Sequence, residues 1–263
     1  MGEDKRSVVW HPLVLAANRV VLRGDTMTEY EAMLARHSVR QYLDKPLEQD
    51  VVDRLQEAVS QANEESGLHI QLVTEEPEAF AGGLAHYGKF RGVRNYLAIC
   101  GSKDDRAEEL AGYYGERLVL LAQQLGLNTC WVALTFSKKK ARFELAEGER
   151  LIIVIALGYG ATQGVAHKSR PATRVARAKS PVPDWFAEGI AAALLAPTAV
   201  NQQKFHFTLL DKTDPATGKA LVKVATRIGT QVLIDLGIAM YHFELGAGRD
   251  SFAWSGMRVD PRA

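Results

Sequence analysis

Residues 118–126 read LVLLAQQLG, and they close a run in which Leu110, Tyr113, Tyr114, Leu118, Leu121, Ala122 and Leu125 fall on one face at helical spacing. That stripe is broad enough to make this the central helix of a core, with Gly126 placed to end it. Residues 238–246, IAMYHFELG, repeat the pattern and also end at Leu-Gly. Working outward, LHIQLV (68–73) and FHFTLL (205–210) align on His69 and His206, each after a helix and a loop. Two copies are too few for a solenoid. They predict an α+β chain made of two related halves, 27–172 and 173–263, packed on each other like the subunits of a dimer.

The elements between these anchors follow from caps and periodicity. Thr28-Glu29-Tyr30-Glu31 is a capping box, so order is expected to begin near Met27 with a helix to about Arg36. Residues 1–26 are read as a flexible extension or an over-long start, without targeting character, because Pro12, Asn18 and Arg19 break their apolar stretch. After an extended SVRQY, Pro46 leads into a helix with Val51, Val52, Leu55, Ala58, Val59 and Ala62 on one face, ended by Gly67. PEAFAGGLAHY reads as a loose helix and NYLAIC as a strand, and Ser102 is the expected cap of the central helix. LIIVIALGYG reads as a strand buried on both faces, and Lys138 to Lys140 as a solvated helix start after Ser137. In the second half PDWFAEGIAAALLAP is a helix, KFHFTLLD a strand, DKTDPATG a turn and GTQVLIDLGIAMYHFELGAG a long helix.

Composition removes several function classes. With 32 basic and 31 acidic residues the net charge is +1, leaving no global field for nucleic acid or an acidic membrane. No run reaches membrane-spanning length. Cys100 and Cys130, thirty residues apart without metal-ligand spacing, suit core positions in a reduced, cytoplasmic protein. The seven histidines lack ligand spacing, and there is no GxSxG, HExxH or Walker loop. Any anion site must be local, and ARHSVRQY (35–42) is the candidate, with Arg36, His37, Ser38 and Arg40 within five positions. Alone, such a run is most simply a solvated helix end.

Four motifs taken in order reverse that preference. ARHSVRQY, then GLNTCWV after the central helix, then HKSRP, then APTAVNQQKF resemble the FMN-dependent nitroreductase superfamily. The likeness is greatest to the branch in which one chain holds both halves of what is usually a homodimer. It implies the nitroreductase-like fold and FMN, with Arg36, Ser38, Lys168 and Arg170 at the flavin phosphate and Arg40 at the N1/O2 edge of the ring. It further implies that Val132, Ala133 and Leu134 bring backbone amides near N5, and that Pro197, Thr198 and Asn201 reach the flavin from the other half. The sequence departs from the family where Thr198 replaces Ser, where Lys204-Phe205 replaces Pro-Trp, and where Ala133 and Leu134 replace glycines.

No catalytic side chain is expected, because the resemblance assigns hydride transfer to the flavin: NAD(P)H reduces it, and a nitroaromatic or quinone-type acceptor reoxidises it. In the first half, SQANEESGL sets Glu64 where the second half has Asn201, and the second half lacks an Arg-x-Ser-x-Arg before its first helix. One FMN per chain is therefore expected, between the halves, in a monomer that already contains its pseudo-dimer. The alternatives are a flavoprotein of this fold with another acceptor, and a flavin-binding protein without turnover.

Overall fold

The computed structural model describes residues 27–255. The extension expected over residues 1–26 lies outside the described residues. In chain order the elements are α1 (Glu29–Ala35), α2 (Gln49–Ser66), β1 (His69–Val73), a 3-10 turn (Glu78–Phe80), α3 (Gly83–Tyr87), β2 (Asn95–Gly101), α4 (Asp105–Gln124), β3 (Asn128–Val132) and β4 (Arg150–Gly158). There follow α5 (Ala172–Val175), β5 (Ala176–Arg177), α6 (Asp184–Ala193), a second 3-10 turn (Ala199–Asn201), β6 (Phe205–Thr213), β7 (Ala220–Thr226), α7 (Val232–Ala247) and β8 (Phe252–Ser255).

Local chemistry accounts for most boundaries. The Thr28 hydroxyl accepts from the Glu31 amide while the Glu31 carboxylate accepts from the Thr28 amide, so both parts of the capping box form. Gly67 ends α2 at φ 69°. The cap of α4 differs from expectation: Asp104 accepts from Ala107 N–H at 2.8 Å, and Ser102 instead donates to the Asp104 carboxylate. Lys138 to Lys140 form a single turn closed on the Ser137 carbonyl and no helix, because nothing apolar follows at helical spacing.

Two four-stranded sheets result. The first, ordered β1-β2-β4-β3, is antiparallel throughout. Its central strands are buried on both faces, as expected for LIIVIALGYG. Leu97, Ile99, Ile153 and Ile155 pack toward the helices, and Tyr96, Ala98, Cys100, Val154 and Ala156 toward a second cluster around Phe80, Phe90 and Phe136. The second sheet, ordered β5-β6-β7-β8, pairs β5 with β6 and β7 with β8 in parallel and β6 with β7 antiparallel. Both Cys100 and Cys130 are buried free thiols.

Helices α4 and α7 cross between the sheets at glycines. A Cβ on Gly112 would lie 2.1 Å from the Ile234 carbonyl oxygen, and one on Gly237 would lie 2.0 Å from that of Glu109. Gly112 and Gly237 are 125 positions apart, as are Glu109 and Ile234, so the two contacts are reciprocal. Asn95 and Ala220, which open β2 and β7, share that spacing. The Leu-Gly ends of the two helices are 120 apart, so pairing them by their ends is off by five residues. Glycines that admit a neighbouring backbone set the crossing; Gly246, read as a helix end, lies inside α7 and admits α6, a Cβ there falling 2.6 Å from the Glu188 carbonyl oxygen, and Gly248 caps the helix instead.

Candidate functional site

One wall of the site is the segment after α1. The C-cap Arg36 takes an extended conformation, and the chain beyond it is held on three sides. Val39 N–H donates to the Thr129 carbonyl, Tyr42 N–H to that of Arg91, and Leu43 N–H to that of Tyr159. Val39 is buried, which by strand alternation turns Ser38 and Arg40 the other way, into a cleft.

Behind Ser38 lies Arg36, 6% exposed. Its Nη2 is 3.5 Å from the Ser38 hydroxyl, its Nε has no hydrogen-bond partner, and it enters no ion pair among the described residues. A buried cation in that condition is costly unless an anion comes to it. The nearby imidazoles respond to its charge. His37 and His167 are both held below the usual imidazole range, by burial first and by the Arg36 guanidinium next.

The opposite wall is the Pro197–Gln203 loop with the start of α7. Val200, Asn201 and Gln203 have φ of 46°, 56° and 42°, and Gln231, the N-cap of α7, has φ 55°. Four non-glycine residues in the left-handed region around one cleft mark stored strain of about 1 kcal/mol or more each. Asp235 holds the loop in place: one carboxylate oxygen accepts from Ala199 N–H at 2.9 Å, the other from the Gln202 amide at 2.7 Å. Burial pushes its carboxyl up to about 6 despite both donors.

Between the walls is a cleft of about 290 Å³. Of the residues expected from the sequence, Ser38, Arg40, Ala133, Leu134, Pro197 and Thr198 line it. Val132 lines the groove next to it, which shares Arg40 and Ala133. Asn201, Lys168 and Arg170 are exposed and outside the lining, gathered by backbone contacts: the Asn201 and Gln203 amides both donate to the Lys168 carbonyl, and Arg170 N–H donates to Gln203 Oε1. Glu64 and Glu65, at the matching place in the first half, are simply the end of α2, with Glu65 paired to Arg117 at 2.6 Å.

The sequence reading missed Asp235, Gln231, Ile234 and Ile238, which α7 contributes to the cleft. The available signal was a lone carboxylate in the apolar run VLIDLGIAM. Trp131, read as packing, does pack on α4, where Gly115 leaves room for its ring, but it also lines the cleft. Its indole N–H donates to Glu116 at 2.9 Å, and Glu116 is paired at 2.9 Å with His242 of α7, both fully buried. Among the described residues no group of His, Cys, Asp and Glu could hold a metal ion, and no helix is long and apolar enough to cross a membrane. In chemical terms the site offers a buried, unpaired cation beside a hydroxyl, a second cation at the mouth, and an apolar slot between.

A search of curated proteins gives no match. Among solved structures the chain is similar to a "putative nitroreductase" from Thermotoga maritima, 20% identical, covering 88% of this chain and 89% of that one at a TM-score of 0.62. A "Putative NADH dehydrogenase/NAD(P)H nitroreductase" from Parabacteroides distasonis is 22% identical over 56% of this chain and 95% of that one, TM-score 0.46. A "putative nitroreductase in complex with fmn" from Desulfovibrio desulfuricans is 16% identical over 59% and 98%, TM-score 0.42. Residues 28–247, most of the chain, match the family model described as "Putative TM nitroreductase", and the chain accordingly belongs to that nitroreductase family and has its α+β fold.

Proposed function

We propose that this protein is an FMN-dependent oxidoreductase that takes hydride from NAD(P)H and reduces nitroaromatic or quinone-type acceptors. The observation that carries the reading is Arg36, a buried guanidinium without an anion, which lies outside the cleft lining beside the Ser38 hydroxyl that does line it. FMN, when bound, supplies the hydride chemistry at its ring. In this reading the protein's own groups bind and orient. Arg36 and Ser38 take the phosphate, since a guanidinium forks onto two oxygens and a hydroxyl adds a neutral donor.

Arg40 enters no ion pair among the described residues, and stands as a fixed cation where negative charge develops on the reduced ring. The backbone amides of Val132, Ala133 and Leu134 would serve the ring's reacting edge. Pro197 and Thr198 close the slot from the second half, while Asn201 acts through the Lys168 carbonyl it holds, keeping Lys168 and Arg170 near the phosphate end. Halves 27–172 and 173–263 thus form a pseudo-dimer with one flavin, as a monomer. A reduced cytoplasmic setting suits its thiols: burial pushes Cys100 up to about 12 and raises Cys130, so neither is a ready nucleophile.

The test is the absorption spectrum of the purified protein, with the released chromophore identified and counted. About one FMN per chain is expected, because the Arg36-x-Ser38 motif has no counterpart before the first helix of the second half. Two per chain would overturn the one-site reading, and none after reconstitution with excess FMN would overturn the enzyme.

A further inference from the structure

The cleft does not stop at Arg40. Past Arg40, Trp131 and Ala133 it opens into a groove of about 360 Å³, and across Lys89 and Phe90 that groove meets a basin of about 600 Å³ bounded by Gln41, His86 and Arg91. No carboxylate lines either. Arg40, Lys89 and Arg91 enter no ion pair among the described residues. The acids of the same surface are already engaged, Asp44 and Glu75 by Arg94 and Glu78 by Lys140.

Backbone geometry sets these cations in a row. Arg91 N–H donates to the Arg40 carbonyl and the Arg91 carbonyl accepts from Tyr42, so Arg91 runs beside the motif segment. Lys89 ends α3: Phe90 N–H donates to the Ala85 carbonyl and Lys89 N–H to that of His86. This is the Schellman arrangement, whose left-handed residue is usually glycine. Here it is lysine, at φ 62°. A local rule broken in favour of a cation, beside a candidate site, is where function rather than stability has set the residue.

We propose that this groove seats the phosphates of a dinucleotide electron donor, its nicotinamide in the cleft and its pyrophosphate along Lys89 and Arg91, beyond the Arg40 that serves the flavin ring. The inference rests on the flavin oxidoreductase reading. Nitroaromatic and quinone acceptors carry no comparable charge and need no such length. A dinucleotide has both.

The test uses the full-length, FMN-reconstituted protein, wild type against Lys89→Gly/Arg91→Gln, with ADP and adenosine 2′,5′-bisphosphate as calorimetric probes at low salt. Lys89→Gly relieves the left-handed backbone, so misfolding does not confound the result. Wild type should bind a probe about tenfold more tightly than the variant, and the KM for the dinucleotide should rise in parallel while that for the acceptor stays put. Preference for ADP, the probe that carries a pyrophosphate, supports the proposal, and preference for the bisphosphate, which carries none, overturns the pyrophosphate assignment. Probe binding that is absent, or equal in wild type and variant, overturns the proposal even if FMN is bound. Variant-sensitive probe binding in a protein that takes up no FMN overturns the donor role together with the flavin reading.

Discussion

Arg36 sets two properties against each other. In the flavin-free protein its charge is buried without a partner, an expense that an apolar side chain of similar length would avoid. Arg36→Met should therefore raise the melting temperature of the apoprotein, while weakening FMN by at least about tenfold, as loss of a charge-assisted bond of about 1.5–3 kcal/mol requires. Fluorescence titration and thermal melts read the two effects separately, and unchanged FMN affinity would remove Arg36 from the site. Asp235 makes a similar trade. Its folded pKa of about 6 lies above the ordinary 3.8. The stability this group contributes is thus complete below about 3.8 and is lost as pH rises through about 6, up to about 3 kcal/mol. Asp235→Asn should remove that dependence, so urea unfolding of wild type and variant should diverge by about 2 kcal/mol between pH 4.5 and 7.5. Parallel stability profiles would show that the carboxyl is not desolvated as its surroundings imply. The basic motif residues were legible because charge stands out in a sequence; Asp235 was not, because its role depends on a loop brought to it from 36 positions away.

At the level of elements, the α4–α7 crossing is the part least tolerant of change. Tyr113 of α4 and Tyr241 of α7 meet there edge to face, both buried with ring centroids 5.0 Å apart, a pair worth about 0.5–1.5 kcal/mol beyond the area it buries. That packing is reached only because Gly112 and Gly237 let backbones meet. Gly112→Ala must push α7 away from α4, since its new methyl would meet a main-chain carbonyl that cannot rotate aside. A loss of about 1–3 kcal/mol is expected, although alanine is the better helix former by about 1 kcal/mol. Denaturant unfolding of Gly112→Ala beside Gly126→Ala, where nothing lies within 4 Å but φ is 79°, separates crowding from backbone strain. A neutral Gly112→Ala would contradict the close crossing. Elements with a cap and a one-faced stripe, such as α2 and α4, could be read in the sequence because local chemistry and burial agree there. Strand β7, ALVKVAT, escaped because only Val222 among its seven residues is buried, and Lys219 and Lys223 dilute the pattern on an open face. Strands β5 and β8, two and four residues long, exist through their neighbours' ladders and have no periodicity of their own.

Across the whole molecule, the two halves do not own separate cores. A single cluster runs from Ala32 and Leu55 through Leu97, Leu118 and Ile155 to Ile190, Phe207, Phe243 and Trp254. Polar links cross the same boundary: Glu116 to His242, and Tyr113 to Glu244 at 2.7 Å. Cutting the chain between 172 and 173 would expose the apolar faces of α4 and α7 and break the buried Glu116–His242 pair and the Tyr113–Glu244 hydrogen bond, a cost of several kcal/mol for the buried charged pair. Neither fragment is therefore expected to fold alone, and the intact chain should unfold in one cooperative transition. Trp131 in the first half and Trp185 and Trp254 in the second allow a direct check, since single-tryptophan variants report each half separately. Coincident midpoints for all three, matching that of circular dichroism, would show that the halves share their stability. Separate midpoints would mean that each half holds its own core and that the cleft opens by parting them.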